Sequence, residues 1–240
     1  MRLYKKLGIK NAVAVIGGSM GGMQALCYAI EHPTFAKHYI PMATTAYTRP
    51  WAIALNKIAI EAIRHDPNFQ NGNYEKDDLK ARGLVGLAVG RMAGLIAYLS
   101  PNLFINKFGR DYVETDGLYE LFGRFEIEKY LEHNSYSFPK FFDPLSYLYI
   151  CKTINIFDAG RNKDKLEDSF LKIEGKLHLI AFKDDMLFFP NEMEEIRDIM
   201  IKIGKKDQVT FKLVDSSSGH DSFLVEVEKF EEHIKDILKD

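Results

Sequence analysis

The chain has 240 residues, 46% of them hydrophobic and 28% charged, with a formal net charge of -2 at pH 7. That length suits one α/β domain with a sizeable core, and so balanced a charge excludes bulk attraction to nucleic acid or anionic membranes. Two cysteines, Cys27 and Cys151, build no disulfide framework, no apolar run approaches the ~20 residues of a membrane span, and Met1-Arg2-Leu3-Tyr4-Lys5-Lys6 is too polar to open a signal peptide, so a reducing, cytoplasmic compartment is expected.

Arg2 to Gly8 reads as the end of a helix closed by glycine. Ala12-Val13-Ala14-Val15-Ile16 then reads as a buried strand, and it stops at a glycine-rich turn with one serine at its centre. Gly21 to Glu31 reads as the helix that leaves the turn, with Cys27 expected as a small core residue. Gly17-Gly18-Ser19-Met20-Gly21 is thus Gly-x-Ser-x-Gly between a strand and a helix. A strand turns into a helix this abruptly only if the flanking positions carry no Cβ to strike the neighbouring backbone. The serine hydroxyl is thereby pushed into the open, and the Met20 N–H at the helix start is placed to meet a developing oxyanion. So apolar a strand is expected to have parallel neighbours on both sides, yet nothing ahead of it in this sequence reads as one.

Pro33 ends the helix, and Lys37 to Thr44 reads as a second parallel strand. From Thr45 to Leu148 the pattern is helical: Trp51 to Arg64, Arg82 to Leu99 with Arg91 set among apolar residues, Tyr119 to His133, and Pro144 to Thr153. So long a helical insert between strands predicts a cap over a site. The sheet resumes with Lys176 to Phe182. Asn191 to Ile203 reads as an amphipathic helix, Gln208 to Val214 as the last strand with Val209, Phe211 and Leu213 inward, and Val225 to Leu238 as a closing helix. The organisation expected is an α/β core over 1–44 and 150–240, mostly a parallel sheet, with a helical cap over 45–149.

A serine hydroxyl is a poor nucleophile at neutral pH. An imidazole must take its proton, and a carboxylate must hold the imidazole in the right tautomer. In sheets of this kind the chain order is serine, acid, histidine, with each group just beyond the C-terminal end of a strand. Asp184 and Asp185 follow one predicted strand in this way, and His220 follows the next. The pattern alone leaves the choice between the two aspartates open. Metal chemistry is not expected, because no His-x-x-x-His, Cys-x-x-Cys or similarly spaced ligand set occurs in the sequence.

From about Leu7 onward the chain resembles the homoserine O-acetyltransferase family of α/β-hydrolase-fold acyltransferases. The stretches that carry the likeness are Gly17-Gly18-Ser19-Met20-Gly21-Gly22-Met23-Gln24-Ala25, His65-Asp66-Pro67-Asn68-Phe69 with Gly72 and Tyr74, and Arg91-Met92 with Tyr98-Leu99-Ser100. Lys107-Phe108-Gly109, Asp185-Met186-Leu187-Phe188 and Gly219-His220-Asp221-Ser222-Phe223-Leu224 complete them. The resemblance implies the C-terminal portion of an α/β-hydrolase fold. It implies ping-pong transfer of an acetyl group from acetyl-CoA, as substrate and with no resident cofactor, to the hydroxyl of L-homoserine in methionine biosynthesis.

Carried over by position, Ser19 is the nucleophile, His220 the general base, Asp185 the orienting acid and Met20 an oxyanion donor, while Arg91, Tyr98 and Asp221 hold the amino acid. Arg91 suits a carboxylate and Asp221 an ammonium group. A homodimer through the helical cap is implied as well. The sequence departs from the family in two ways: Ile60 stands where the family usually carries a cap-helix arginine, and the first strands with the second oxyanion N–H are not found. The expectation is therefore a truncated or split member. A related serine O-acyltransferase, a succinyltransferase or an esterase is one alternative, and an inactive remnant needing a partner chain is another.

Overall fold

The computed structural model describes residues 2–75, 84–114 and 119–239. In chain order the described elements begin with α1 (Arg2–Lys6), β1 (Ala12–Gly18), α2 (Met20–Glu31), β2 (Ala36–Met42), α3 (Pro50–Arg64), α4 (Val85–Tyr98) and α5 (Pro101–Phe108). They continue with α6 (Glu126–Tyr136), α7 (Pro144–Asn155), α8 (Leu166–Phe170), β3 (Lys176–Phe182), α9 (Pro190–Lys202), β4 (Val209–Val214), α10 (Ser222–Val225) and α11 (Glu231–Ile237). Two compact units result, one from 1–48 with 157–240 and the other from 49–156.

The first unit is built on a four-stranded, all-parallel sheet in the order β1-β2-β3-β4. Its strands are apolar because helices cover both faces. On one face Leu26, Ala29 and Ile30 of α2 and Met193, Ile196 and Met200 of α9 pack over Tyr39, Leu177 and Leu179. On the other, Phe230 and Ile237 pack with Ile40, Ile180, Phe182 and Val214. Each large aliphatic or phenylalanine side chain among these, taken from water, contributes about 1.5–3 kcal/mol. Two buried histidines inside are paired: His38 Nδ1 lies 3.1 Å from His178 Nε2, and His178 Nδ1 lies 2.8 Å from Thr210 Oγ1, a chain that crosses three strands.

β1 pairs with β2 alone among the described strands, and Val13 and Ile16 are 59% and 45% exposed along it. The neighbours on both sides expected of so apolar a strand are thus not met. β4 is the other outer strand. Val209 and Phe211 pack as expected, but Leu213 is exposed, since an outer strand is only partly overlaid by α9.

Other expectations need correction. Cys27 is exposed, because α2 buries the face of Gly22, Met23, Ala25, Leu26, Ala29 and Ile30 and Cys27 points away from it. The closing helix is not continuous from Val225 to Leu238. It breaks into α10, a 3-10 turn over Val227–Lys229 and α11, with Phe230 buried at the break. The two compact units divide after Thr48 and after Ile156, a few residues beyond the expected 44 and 149: Thr48 N–H donates to the Phe157 carbonyl oxygen (3.0 Å) and α7 runs on to Asn155.

Within the second unit, Ile63, Phe69, Leu84 and Leu87 form a core flanked by Tyr74, Phe138, Tyr147 and Leu148. Asp66 fixes the join between α3 and α4. Its carboxylate accepts from Asn68 N–H at 2.8 Å and from Gly86 N–H at 2.7 Å. The helix expected from Arg82 is described from Val85, Arg82 and Gly83 lying outside the described residues. The helix expected from Tyr119 begins only at Glu126, where the Glu128 carboxylate accepts from Phe125 N–H at 2.7 Å and an antiparallel bridge joins Tyr112 to Phe125. Among the described residues no single helix is long and apolar enough to cross a membrane.

The α3–α4 contact depends on missing side chains. A Cβ at Gly86 would lie 2.1 Å from the Ala62 carbonyl oxygen, and one at Gly90 would lie 3.0 Å from the Ala59 Cβ. The clash at Gly86 is with backbone, so no side chain can swing aside. Gly86→Ala is therefore expected to destabilise the helical unit by about 1–3 kcal/mol. A thermal or urea midpoint unchanged by the substitution would refute this account of the helix packing.

Candidate active site

β1 ends at Gly18 and α2 starts at Met20, so Ser19 alone makes the corner. Its backbone sits at φ 56, ψ -121, a conformation costing a non-glycine residue on the order of 1–3 kcal/mol. Three hydrogen bonds hold it there. Ser19 N–H donates to the Met42 carbonyl oxygen at 2.9 Å, and the Ser19 carbonyl oxygen accepts from Met23 N–H at 3.1 Å and from Thr44 Oγ1 at 3.0 Å. The glycines on either side are required by different neighbours. A Cβ on Gly17 would lie 2.3 Å from the Gly21 carbonyl oxygen, and one on Gly18 would lie 2.3 Å from the Phe223 ring. Ser19 is left partly exposed at the C-terminal edge of the sheet, with Met20 as first residue of α2 and its N–H without an intrahelical partner.

Asp185 lies just beyond β3 and His220 just beyond β4, at the same edge. His220 Nε2 is 2.8 Å from Ser19 Oγ, and His220 Nδ1 is 2.8 Å from Asp185 Oδ2. The network assigns the tautomer: a carboxylate only accepts, so Nδ1 carries the proton and Nε2 accepts from the serine hydroxyl. Asp185 is fixed in turn, its Oδ1 accepting from Leu187 N–H and Phe188 N–H at 2.9 Å each. Both Asp185 and His220 are buried, at 2% and 3% exposure. Phe188 and Phe223 meet the imidazole nearly edge-on, with centroids 5.4 and 5.7 Å away, and leave water little access to it. Such a chain can draw a proton from Ser19 as its oxygen attacks a carbonyl carbon.

The structure therefore brings Ser19, His220 and Asp185 together and resolves the choice left open by the sequence, since Asp185 rather than Asp184 bonds His220. Asp221 follows His220 in the same unit and is half-buried. Arg91 and Tyr98 belong to the helical unit and lie together on α4. The Arg91 guanidinium is 5.6 Å from the Tyr98 ring centroid and 5.1 Å from that of Phe138. Burial pushes the neighbouring Tyr147 hydroxyl far above its ordinary pKa, with Tyr98 adding to the rise and Arg91 opposing it. The Thr44 bond to Ser19, the two rings around His220 and the place of Phe138 beside Arg91 were not assigned from sequence. Only Phe188 and Phe223 carried a signal, as members of the quoted stretches.

The sequence model of the alpha/beta hydrolase fold family matches residues 2–227. A protein of Nautilia profundicola named homoserine O-acetyltransferase is 55% identical over 237 residues, which are 99% of this chain and 64% of that protein. The chain thus spans just under two thirds of the length of the curated relatives it matches. Among solved structures, homoserine O-acetyltransferase from Bacillus anthracis superposes with a TM-score of 0.90 at 23% identity, covering 100% of this chain and 63% of that one. Esterase E22 gives 0.87 at 26% identity, covering 99% and 64%.

The two aspartates beyond β3 are separable by experiment. With p-nitrophenyl acetate as acyl donor, Asp185→Asn is expected to slow acylation of Ser19 by up to ~10⁴-fold through loss of the correct tautomer. Asp184→Asn, which leaves the carboxylate bonded to His220 Nδ1 in place, is expected to leave the rate within about twofold. Equal losses in the two variants would contradict the assignment.

Proposed function

The chain belongs to the alpha/beta hydrolase fold family, and from that premise we propose that it moves an acetyl group from acetyl-CoA to the hydroxyl of L-homoserine through an acetyl-Ser19 intermediate. The observation that carries this reading is the unbroken chain from Ser19 Oγ through His220 to Asp185, 2.8 Å at each link. The name of the Nautilia relative supports the choice of donor and acceptor.

In this reading Ser19 Oγ attacks the thioester carbonyl carbon while His220 Nε2 takes the hydroxyl proton. Charge develops on the carbonyl oxygen, and the Met20 N–H at the start of α2 stabilises it. The C–S bond breaks, His220 returns the proton to the sulfur, and coenzyme A leaves as the thiol. The homoserine hydroxyl then gives its proton to His220 and attacks the acetyl-serine carbonyl. Collapse returns the proton to Ser19 Oγ and releases the O-acetyl ester. Asp185 keeps Nδ1 protonated throughout and balances the imidazolium formed at each step.

Arg91 is the residue proposed to take the amino-acid carboxylate, since a guanidinium lying against the Tyr98 and Phe138 rings can offer paired donors to it. Asp221 is proposed for the ammonium group, and Tyr98, beside Arg91, for a further contact to the amino acid. Assembly as a homodimer through the helical unit is part of the same proposal, and the exposed Tyr136, Phe141 and Tyr149 on that unit support it. Hydrolysis of an acetyl ester is a second reading, favoured by the likeness to esterase E22. It needs the same three side chains but gives Arg91 and Asp221 nothing to do.

Thiol release from acetyl-CoA is expected to depend on L-homoserine and to disappear in Ser19→Ala. Arg91→Ala is expected to raise the KM for homoserine by at least ~10-fold, a loss of one charge-assisted contact, with little change toward acetyl-CoA. Release that is equally fast without homoserine would move the assignment to hydrolysis, and no release by a folded chain would sink the proposal for this polypeptide.

A further inference from the structure

Glu226 is buried and charged, yet it has no place in the chain from Ser19 to Asp185. Its backbone N–H closes α10 on the Ser222 carbonyl oxygen at 2.9 Å. Its side chain runs back to the segment Asp215–Gly219 that joins β4 to His220. Oε1 accepts from the Ser217 N–H and the Ser217 hydroxyl at 3.2 Å each, and from the Ser218 hydroxyl. Oε2 lies 3.4 Å from the Ser217 N–H and 2.6 Å from Lys229 Nζ. Burial alone would raise this carboxyl, but the Lys229, Ser218 and Ser217 bonds outweigh it and hold the pKa at about 2. The group is ionised throughout the neutral range.

Between β4 and the 3-10 turn over Gly219–Asp221 the segment has no regular secondary structure, although Ser216 and Ser218 within it are buried. Buried backbone that joins no ladder must find its partners in side chains. A carboxylate suits the position because it only accepts, while every group converging on it from the loop and from Lys229 donates. Loop position also matters more here than at an ordinary turn. The His220 ring makes two directed bonds, to side chains that follow β1 and β3, and neither bond sets the height of its own backbone.

We propose that Glu226 is a positioning residue of the acyl-transfer site, its carboxylate holding Ser217 and Ser218 so that the His220 ring meets Asp185 and Ser19 together. The proposal rests on Ser19 being the nucleophile. Glu226 touches no reacting atom and acts only through the loop. A displacement of about 1 Å in a catalytic group costs on the order of 10²-fold in rate, which is the effect expected when this anchor is removed.

Two readouts separate this role from general stability and from the reaction itself. The first is the proton resonance of His220 Nδ1–H, shifted downfield by its bond to Asp185 and visible without turnover. The second is the rate at which a fluorophosphonate labels Ser19. In folded protein, Glu226→Ala is expected to broaden or lose the resonance and to slow labelling about 10²-fold, with Glu226→Gln between it and the wild type. Should Glu226→Ala not fold, Ser218→Ala carries the test, with a loss of several-fold expected from one bond removed. Lys229→Ala, at the exposed side of the carboxylate, is expected to stay within about twofold. Wild-type resonance and wild-type labelling in folded Glu226 and Ser218 variants would overturn the proposal. A wild-type chain that shows the resonance, loses it in Glu226→Ala and still transfers no acetyl group would support the positioning role while sinking the proposed reaction.

Discussion

The corner at Ser19 is the constraint on which the site depends. A parallel strand enters, a helix leaves one residue later, and the residue between carries a left-handed φ that its Cβ disfavours. Such strain persists only where the surroundings over-determine it. Here the neighbouring strand does so, Met42 taking the Ser19 N–H and Thr44 bracing the Ser19 carbonyl oxygen. The adjoining turn is itself strained, since buried Ala43 has φ 44 and its N–H reaches the Ile180 carbonyl oxygen on the strand beyond. The strained corner is thus tied through two successive strands into the middle of the sheet, and a local cost is carried by a cooperative structure.

The same sheet explains how residues far apart in the chain meet. Ser19 and His220 are separated by 201 positions, and Asp185 and His220 by 35. Parallel strands place all their C-terminal ends on one edge, so residues following β1, β3 and β4 converge without any long excursion. Once there, each is restrained through its own backbone. Ser19 is held by strain and its three bonds, Asp185 by the N–H groups of Leu187 and Phe188, and His220 by a buried loop whose donors converge on one carboxylate. None of these restraints comes from the other members of the site. That separation makes the 2.8 Å contacts a property of the fold rather than of the contacts themselves.

Most of this was legible in the sequence for a physical reason. Short runs of apolar residues bounded by turn residues are strong signals, and all four described strands fall within a residue or two of the runs that predicted them. The order serine, acid, histidine then followed from the Gly-x-Ser-x-Gly motif and the strand ends, and the resemblance favoured Asp185 over Asp184. What was illegible depended on packing that periodicity does not encode. Cys27 lies one position off the buried face of α2, too fine a difference for an apolar helix to reveal. The break at Phe230 is set by one large ring entering the core, while the flanking sequence still reads as helix. Glu226 carried no local signal either, because its partners are backbone and serine hydroxyls that any turn could supply.

The helical unit enters the chain between β2 and β3, and this placement decides what the reactive side chains alone can determine. The entropic cost of closing a longer connection grows only logarithmically with its length, so an insert over 49–156 adds little to the cost of aligning the strands on either side. Its two ends are clamped where it leaves and rejoins, by the Thr48–Phe157 bond and the bridge between Tyr47 and Asp158. The serine, histidine and aspartate are therefore fixed by one unit, while Arg91, Phe138, Tyr98 and Tyr147 are gathered by the core of the other. In the proposed reaction an arrangement so divided would let the acceptor vary while the attack on a carbonyl stays the same. The serine, histidine and aspartate owe their alignment to the sheet alone, and in the proposed reaction the choice of acceptor falls to the residues around Arg91.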